Sequence, residues 1–187
     1  MASLLSHNSA GDRLTRIVVT GSESTGKTLL AQQLAEHYAV AWVREFARDY
    51  AEEKHTPLTA DDVDPIGRGQ VAREDAAVHK AHDLLILDTD LLSTLVYGEQ
   101  YYGIAPEWIP GAVKLRLADL YLLCDIDVPW VADSVRDAQH QRRSMHDAFL
   151  QRLKAFGAPF RLITGTPSER LATAIESIDA VRLLSSS

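Results

Sequence analysis

The residues with the plainest chemical meaning are Gly21-Ser22-Glu23-Ser24-Thr25-Gly26-Lys27-Thr28, which fit the pattern G-x-x-x-x-G-K-[ST] throughout. The two glycines let the backbone fold into a nest of N–H groups around a phosphate, and the helix that follows adds the positive end of its dipole. Lys27 is placed to reach the β- and γ-phosphate oxygens of a nucleoside triphosphate, and the Thr28 hydroxyl to reach Mg²⁺. Gly21, Glu23, Ser24, Thr25, Gly26, Lys27 and Thr28 are therefore the expected ATP-binding residues.

Asp88 closes the apolar run Leu84-Leu85-Ile86-Leu87. A buried strand would deliver this acid beside the phosphate loop, where it could hold Mg²⁺ together with Thr28; the plainer reading is a cap for the next helix. Asp90 is open to the same capping role. Glu45 follows a second short strand and could orient or deprotonate a sugar hydroxyl, while Arg48 lies one helical turn on and could equally pair with Asp49 or Glu52. Between two later strands lies Asp133-x-x-Arg136-Asp137, then Gln141-Arg142-Arg143. A basic stretch in an acidic chain reads as a lid, with Arg136 on the transferring phosphoryl group and Arg142 on the nucleotide; the plainer reading is that Arg136, Arg142 and Arg143 are surface residues paired with nearby acids. His79 and His82 stand at i, i+3, but no further Cys or His cluster supports a metal centre.

These residues need elements to hold them. Ile17-Val18-Val19-Thr20 reads as a buried strand running into the loop, and Lys27 to Tyr38 as a helix leaving it. Further strands are predicted at Ala41–Val43, Leu84–Asp88, Leu120–Asp125 and Arg161–Gly165. Helices are predicted at Glu45–Glu53, over 60–82 with a possible break at Pro65, at a segment closing over Leu115–Asp119, at Ser144–Phe156 and at Pro167–Leu184. Thr59-x-x-Asp62 approximates a capping box. Gly67 and Gly69 inside a helix point to close packing. Strands with continuous apolar runs, alternating with helices, imply an α/β fold: a parallel five-stranded sheet covered on both faces, a three-layer sandwich.

The chain has 187 residues, enough for one domain, read here as a disordered leader over 1–15 and a single domain over 16–187. The net charge of −7 opposes binding to a nucleic-acid polyanion. No apolar run approaches the ~20 residues of a membrane span. Cys124 is the single cysteine, so no internal disulfide is possible, and no secretory signal stands at the N-terminus. A cytoplasmic protein acting on a soluble small molecule is the expectation.

Taken together, Gly21-x-Glu23-Ser24-Thr25-Gly26-Lys27-Thr28, Glu45-Phe46-Ala47-Arg48-Asp49, Gly69-Gln70, Asp88-Thr89-Asp90 and Asp127-x-Pro129-Trp130-Val131-x-Asp133-x-x-Arg136 resemble the NadR-type ribosylnicotinamide kinase domain, of the P-loop AAA-type ATPase/kinase family. The likeness runs from about Arg16 to Arg182. It implies a P-loop NTPase, nucleoside-kinase-like fold and transfer of the ATP γ-phosphoryl to the 5′-hydroxyl of nicotinamide riboside, a step of NAD salvage. Lys27, Glu45, Asp88 and Arg136 would be catalytic, with acceptor contacts near Glu45, Arg48 and Asp90. Members with several functions carry a DNA-binding region and an adenylyltransferase domain before the kinase; with about fifteen residues ahead of the first strand, neither is expected here. The family leads one to expect an aromatic residue directly before the Glu, and this chain has Arg44. Strand alternation puts Trp42 on the same side, so Trp42 and Trp130 are the candidates to stack on the nicotinamide ring.

An alternative of another class is a regulatory or nucleotide-sensing ATPase without a small-molecule acceptor. A GTPase switch is the weakest, since no Asn-Lys-x-Asp guanine-reading motif occurs.

Overall fold

β-branched side chains are stiff at χ1 and favour extended backbone, and Ile17-Val18-Val19 accordingly forms the middle of a sheet. In the computed structural model, which describes residues 13–127 and 137–185, five strands lie in the order β2-β3-β1-β4-β5. They are β1 (Thr15–Thr20), β2 (Trp42–Val43), β3 (Leu84–Asp88), β4 (Leu120–Cys124) and β5 (Phe160–Ile163), every neighbouring pair parallel. The helices are α1 (Lys27–Tyr38), α2 (Phe46–Lys54), α3 (Val63–Val78), α4 (Leu91–Tyr102), α5 (Trp108–Leu115), α6 (Asp137–Phe156) and α7 (Pro167–Ser185).

Successive strand residues face opposite sides of the sheet. Val18, Leu85, Leu87, Tyr121 and Leu123 pack on one side with Leu91, Leu95 and Phe149 of α4 and α6. Ile17, Val19, Ile86, Leu122 and Cys124 pack on the other with Leu30 and Leu34 of α1 and Ala174 and Ile178 of α7. This is the expected three-layer sandwich. Because β1 skips over β3 to reach β2, the phosphate-bearing end of β1 lies beside the end of β3, and Val19 stands in register with Asp88.

Several boundaries differ from expectation for physical reasons. The helix expected over 60–82 is a 3-10 turn, Ala60–Asp62, followed by α3. Pro65 sits in the first turn of α3, where a missing N–H breaks no bond. The Thr59–Asp62 capping box forms reciprocally, with Thr59 N and Oγ1 2.6 and 3.0 Å from Asp62 Oδ2. α5 stops at Leu115, so residues 116–119 lead into β4 rather than closing a helix. Leu14 and Thr15, read as the end of the leader, are buried, and β1 begins at Thr15. Gly165, expected in β5, lies beyond it with φ 94°. A Cβ on Gly69 would come within 2.2 Å of the Phe46 ring, and one on Gly67 within 3.2 to 3.4 Å of Ile109, Trp108 and Leu91, so both glycines answer to packing.

Candidate active site

The loop from β1 to α1 is built on backbone that other residues resist. Gly21 has φ 133°, and a Cβ there would meet the Cys124 carbonyl at 2.8 Å. Gly26 caps α1 at φ 82°, and Ser24 also lies in the left-handed region at φ 55°. Inside the loop, the Ser22 carbonyl accepts from Thr25 Oγ1 and from Lys27 Nζ, both at 2.8 Å. The Lys27 ammonium is thus held within the loop by a carbonyl rather than a carboxylate, an arrangement that a phosphate could displace. Glu23 stands exposed at the rim, where Tyr101 donates to it at 3.1 Å.

Thr28, the second residue of α1, donates to Asp88 Oδ2 at 2.6 Å. Asp88 Oδ1 and the Ser22 hydroxyl are buried with no hydrogen-bond partner among the described residues. An anionic oxygen buried unpaired is costly, and a hydroxyl and a carboxylate facing each other at a loop rich in N–H groups suit a hard divalent cation carrying phosphate. The donor set therefore fits Mg²⁺. Burial pushes the Asp88 carboxyl above its ordinary range, opposed by the Thr28 hydrogen bond and the Lys27 charge.

Glu45 occupies the N-cap position of α2 but makes no side-chain cap hydrogen bond. Glu45 lines a cavity of about 430 Å³ whose wall also includes Ser24 and Lys27 of the loop, Arg48, and Tyr97, Tyr101 and Tyr102 of α4. Burial pushes the Glu45 carboxyl up, while Lys27 and Arg48 pull it down and Asp88 pushes it up further. Tyr97 and Tyr101 stack with centroids 5.8 Å apart and planes 13° from parallel, and Tyr97 donates to the Gly21 carbonyl at 3.3 Å. The pocket joins a cation at the phosphate end, a carboxylate of raised pKa in the middle and aromatic faces opposite. Residue patterns alone gave no reason to single out these tyrosines; their i, i+4 spacing on an apolar helix was the available signal.

On the other side of the loop, a cavity of about 490 Å³ lies between Thr25, Gly26 and Leu29 of the α1 end and Gly165, Pro167 and Arg170 of the α7 end. Arg170, also missed by the sequence reading, is 5% exposed. It donates to the carbonyls of Thr25 (2.9 Å), Gly165 (2.9 Å) and Asp125 (3.1 Å) and pairs with Asp127. Arg142 of α6 donates to the Ser24 carbonyl at 3.1 Å, so this expected nucleotide residue does meet the loop.

Two expected acceptor residues are placed elsewhere. Trp42 and Arg44 both line a groove at the sheet edge with Tyr38, Arg73 and Lys80, as does Val43 between them. Trp42 packs with the cluster around Ile17 and Ile86, and Arg44 is exposed and 3.8 Å from Asp49. Arg44 lines that edge groove, whereas Glu45, the next residue, lines the cavity at the phosphate loop. Asp90 is corrected likewise: 4% exposed, it caps α4 through Leu92 N at 3.1 Å and accepts from Tyr121 Oη at 2.7 Å. The capping alternative accounts for it. Trp130, Asp133 and Arg136, and with them the whole Pro-Trp-Val-x-Asp block, lie outside the described residues.

Comparison with known proteins agrees with this geometry. The trifunctional NAD biosynthesis/regulator protein NadR of Salmonella typhimurium is 27% identical over 144 residues, covering 74% of this chain and 35% of that protein. Its Escherichia coli namesake is 29% identical over 124 residues, 64% of this chain and 30% of that one. The chain thus spans about a third of the length of these curated relatives. A crystal structure of a NadR protein in complex with NR superposes with TM-score 0.74 at 23% identity, over 90% of this chain and 52% of the other. Thymidylate kinase from Ehrlichia chaffeensis superposes with TM-score 0.65 at 16% identity, over 88% and 98%. A family model described as AAA domain matches residues 16–170. Sheet order, phosphate loop and family match converge, and the chain belongs to that AAA domain family as a NadR-like P-loop kinase domain.

Proposed function

We propose that the chain phosphorylates the 5′-hydroxyl of nicotinamide riboside with Mg-ATP, yielding nicotinamide mononucleotide. The observation that carries this reading is the cavity in which Glu45 stands between Lys27 and the tyrosines of α4. A chamber beside the loop, with a carboxylate among its lining, supports a reading with a small-molecule acceptor over an acceptor-free ATPase. The nucleotide phosphates would lie in the loop with the base toward Arg170 and α1, and the riboside would enter from the tyrosine side. Glu45 would take the proton of the 5′-hydroxyl as its oxygen bonds to the γ-phosphorus and the bond to the β-bridging oxygen breaks, releasing ADP. The Lys27 charge follows the transferring oxygens, and Thr28 and Asp88 would hold the cation, which neutralises phosphate charge. The nicotinamide ring is cationic, and the electron-rich faces of Tyr97 and Tyr101 suit it. The relatives' names, NadR with NR among them, support the same acceptor.

The experiment is a panel of ribosides and nucleosides incubated with Mg-ATP and the purified chain, products read by mass. Nicotinamide mononucleotide should dominate. ATP turnover that ignores every added acceptor would sink the reading in favour of a nucleotide-sensing ATPase.

A further inference from the structure

A helix begins with N–H groups that have no partner inside it, and the N-cap side chain usually satisfies one of them. Glu45 holds that position in α2 and does not cap. The first N–H of the helix, Phe46 N, is taken instead by a residue of another helix, Gln70 Oε1, at 3.0 Å. We infer that Gln70 is a positioning residue for Glu45: by accepting from the N–H of the residue directly after it, Gln70 holds the backbone from which the Glu45 side chain enters the cavity lining. The inference rests on the riboside-kinase reading for its catalytic consequence, though the contact stands without it.

Gln70 is 2% exposed and its amide can face only one way. Nε2 donates to Glu74 Oε1 at 3.0 Å and, more loosely, to the Thr89 carbonyl at 3.4 Å. Glu74 Oε2 in turn accepts from Arg16 and Arg116 at 3.1 and 3.3 Å, so the carboxylate is fixed from behind. Turning the Gln70 amide over would set its NH₂ against the Phe46 N–H and its oxygen against Glu74, leaving buried groups unpaired. The Phe46 N–H, which needs the amide oxygen, and Glu74 on the other side together set the orientation of the amide. Two neighbours on α3 grip the same point: Gly69 leaves room for the Phe46 ring, and Arg73 lies 4.9 Å over that ring while donating to the Glu45 carbonyl at 3.4 Å. Thr89, the other residue that Gln70 touches, directly follows Asp88. One buried amide thus references both carboxylates that the reaction would use. The Gly69-Gln70 pair, conspicuous in the sequence without a role, acquires one here.

The test uses Gln70→Met, which keeps the side-chain length and removes the hydrogen bonds, beside the double variant Gln70→Glu, Glu74→Gln, which swaps the partners and restores a donor–acceptor match. Three quantities are read: exchange of the Phe46 amide proton by NMR, Mg-ATP affinity by calorimetry, and kcat with acceptor KM. In Gln70→Met, Phe46 exchange should quicken while that of Leu87 in β3 holds; kcat should fall roughly ten- to a hundredfold with Mg-ATP affinity within about twofold. The double variant should recover most of both losses. Unchanged Phe46 exchange, a parallel fall in kcat and Mg-ATP affinity, or a double variant no better than the single one overturns the inference. A wild-type chain that phosphorylates no riboside defeats the proposed function alone; the exchange readings in the single and double variants then decide whether Gln70 holds the start of α2.

Discussion

Thr28 and Asp88, sixty residues apart in sequence, meet through a 2.6 Å hydrogen bond that occupies one carboxylate oxygen and leaves the other buried with no hydrogen-bond partner among the described residues. The pair exists because β3 lies directly beside β1, so the residue after Leu87 ends level with the start of the phosphate loop. Glu45 reaches the same space from the far side, off the end of the short edge strand β2. Two acids of similar type therefore serve one chamber from two directions, and their roles should separate.

Asp88→Asn should weaken Mg-dependent nucleotide binding, because it removes the anionic oxygen suited to the cation. Glu45→Gln should leave Mg-ATP affinity unchanged while phosphoryl transfer collapses. Calorimetric titration of Mg-ATP into both variants decides the matter; equal weakening in the two refutes the division.

Lys27→Ala should fold normally and fail to turn over. The Lys27 ammonium donates to the Ser22 carbonyl in its own loop, away from the core. Removing a preorganised positive charge from the transferring phosphate should cost about 3 kcal/mol or more of transition-state stabilisation, over a hundredfold in rate. Near wild-type turnover with an unaltered thermal melt would contradict the loop's role.

The tyrosine wall makes a prediction that the sequence alone placed on tryptophan. Tyr101→Ala should raise the riboside KM by roughly two- to thirtyfold, the equivalent of about 0.5 to 2 kcal/mol for a cation on an aromatic face. Trp42→Phe and Arg44→Trp should leave that KM where it was, since both residues line the edge groove instead. Steady-state kinetics on the three variants suffices. A large effect at Trp42 or Arg44 with none at Tyr101 would relocate the acceptor.

Burial raises the Glu45 pKa, and only the carboxylate can take the hydroxyl proton. Acceptor kcat/KM should therefore fall as pH drops, and the fall should begin above the range where an exposed glutamate titrates, near pH 4.5. Glu45→Gln should lose this limb of the profile. A limb centred at the ordinary glutamate value would mean that Glu45 is not the group being read.

Glu74 bears on stability. Burial, with the Asp90 charge adding, pushes its carboxyl up to about 7. The folded chain then holds a proton that the unfolded chain releases, so this contribution is complete below the ordinary carboxylate pKa and is lost as pH rises toward 7. Melting temperature followed from pH 5 to 8 should decline less steeply in Glu74→Gln than in the wild type.

Much of this was legible in the residues because the relevant constraints are local. Gly21 and Gly26 must take backbone that Cβ atoms resist, and Ile17 to Thr20 must extend, so the strand, loop and helix around Lys27 follow from a dozen letters. Asp88 was legible because an acid ending a five-residue apolar strand has few places to go. Glu45 was found and its neighbour misread for one reason: β2 is two residues long, and alternation holds only as far as the strand does. Arg44 and Glu45 both lie beyond it, and the one lines the edge groove while the other lines the cavity. Tyr97, Tyr101, Arg170 and Gln70 could not be ranked from the chain, because their roles arise from contacts across 24 to 145 residues of sequence.

Arg170 carries a consequence of its own. Its guanidinium gathers carbonyls from the phosphate loop, the end of β4 and the loop after β5, and it stands in the first turn of α7. The last helix of the fold is thereby fastened to the nucleotide end of the sheet by its beginning, while Ala174 and Ile178 fasten its middle to the core. Local opening of α7 would strip three carbonyls of their shared donor at once and loosen the loop around Thr25. A phosphate that firmed the loop would by the same contacts protect α7 from opening, and exchange of the α7 amides would then report, through that helix's resistance to opening, whether the loop some 140 residues before it is filled.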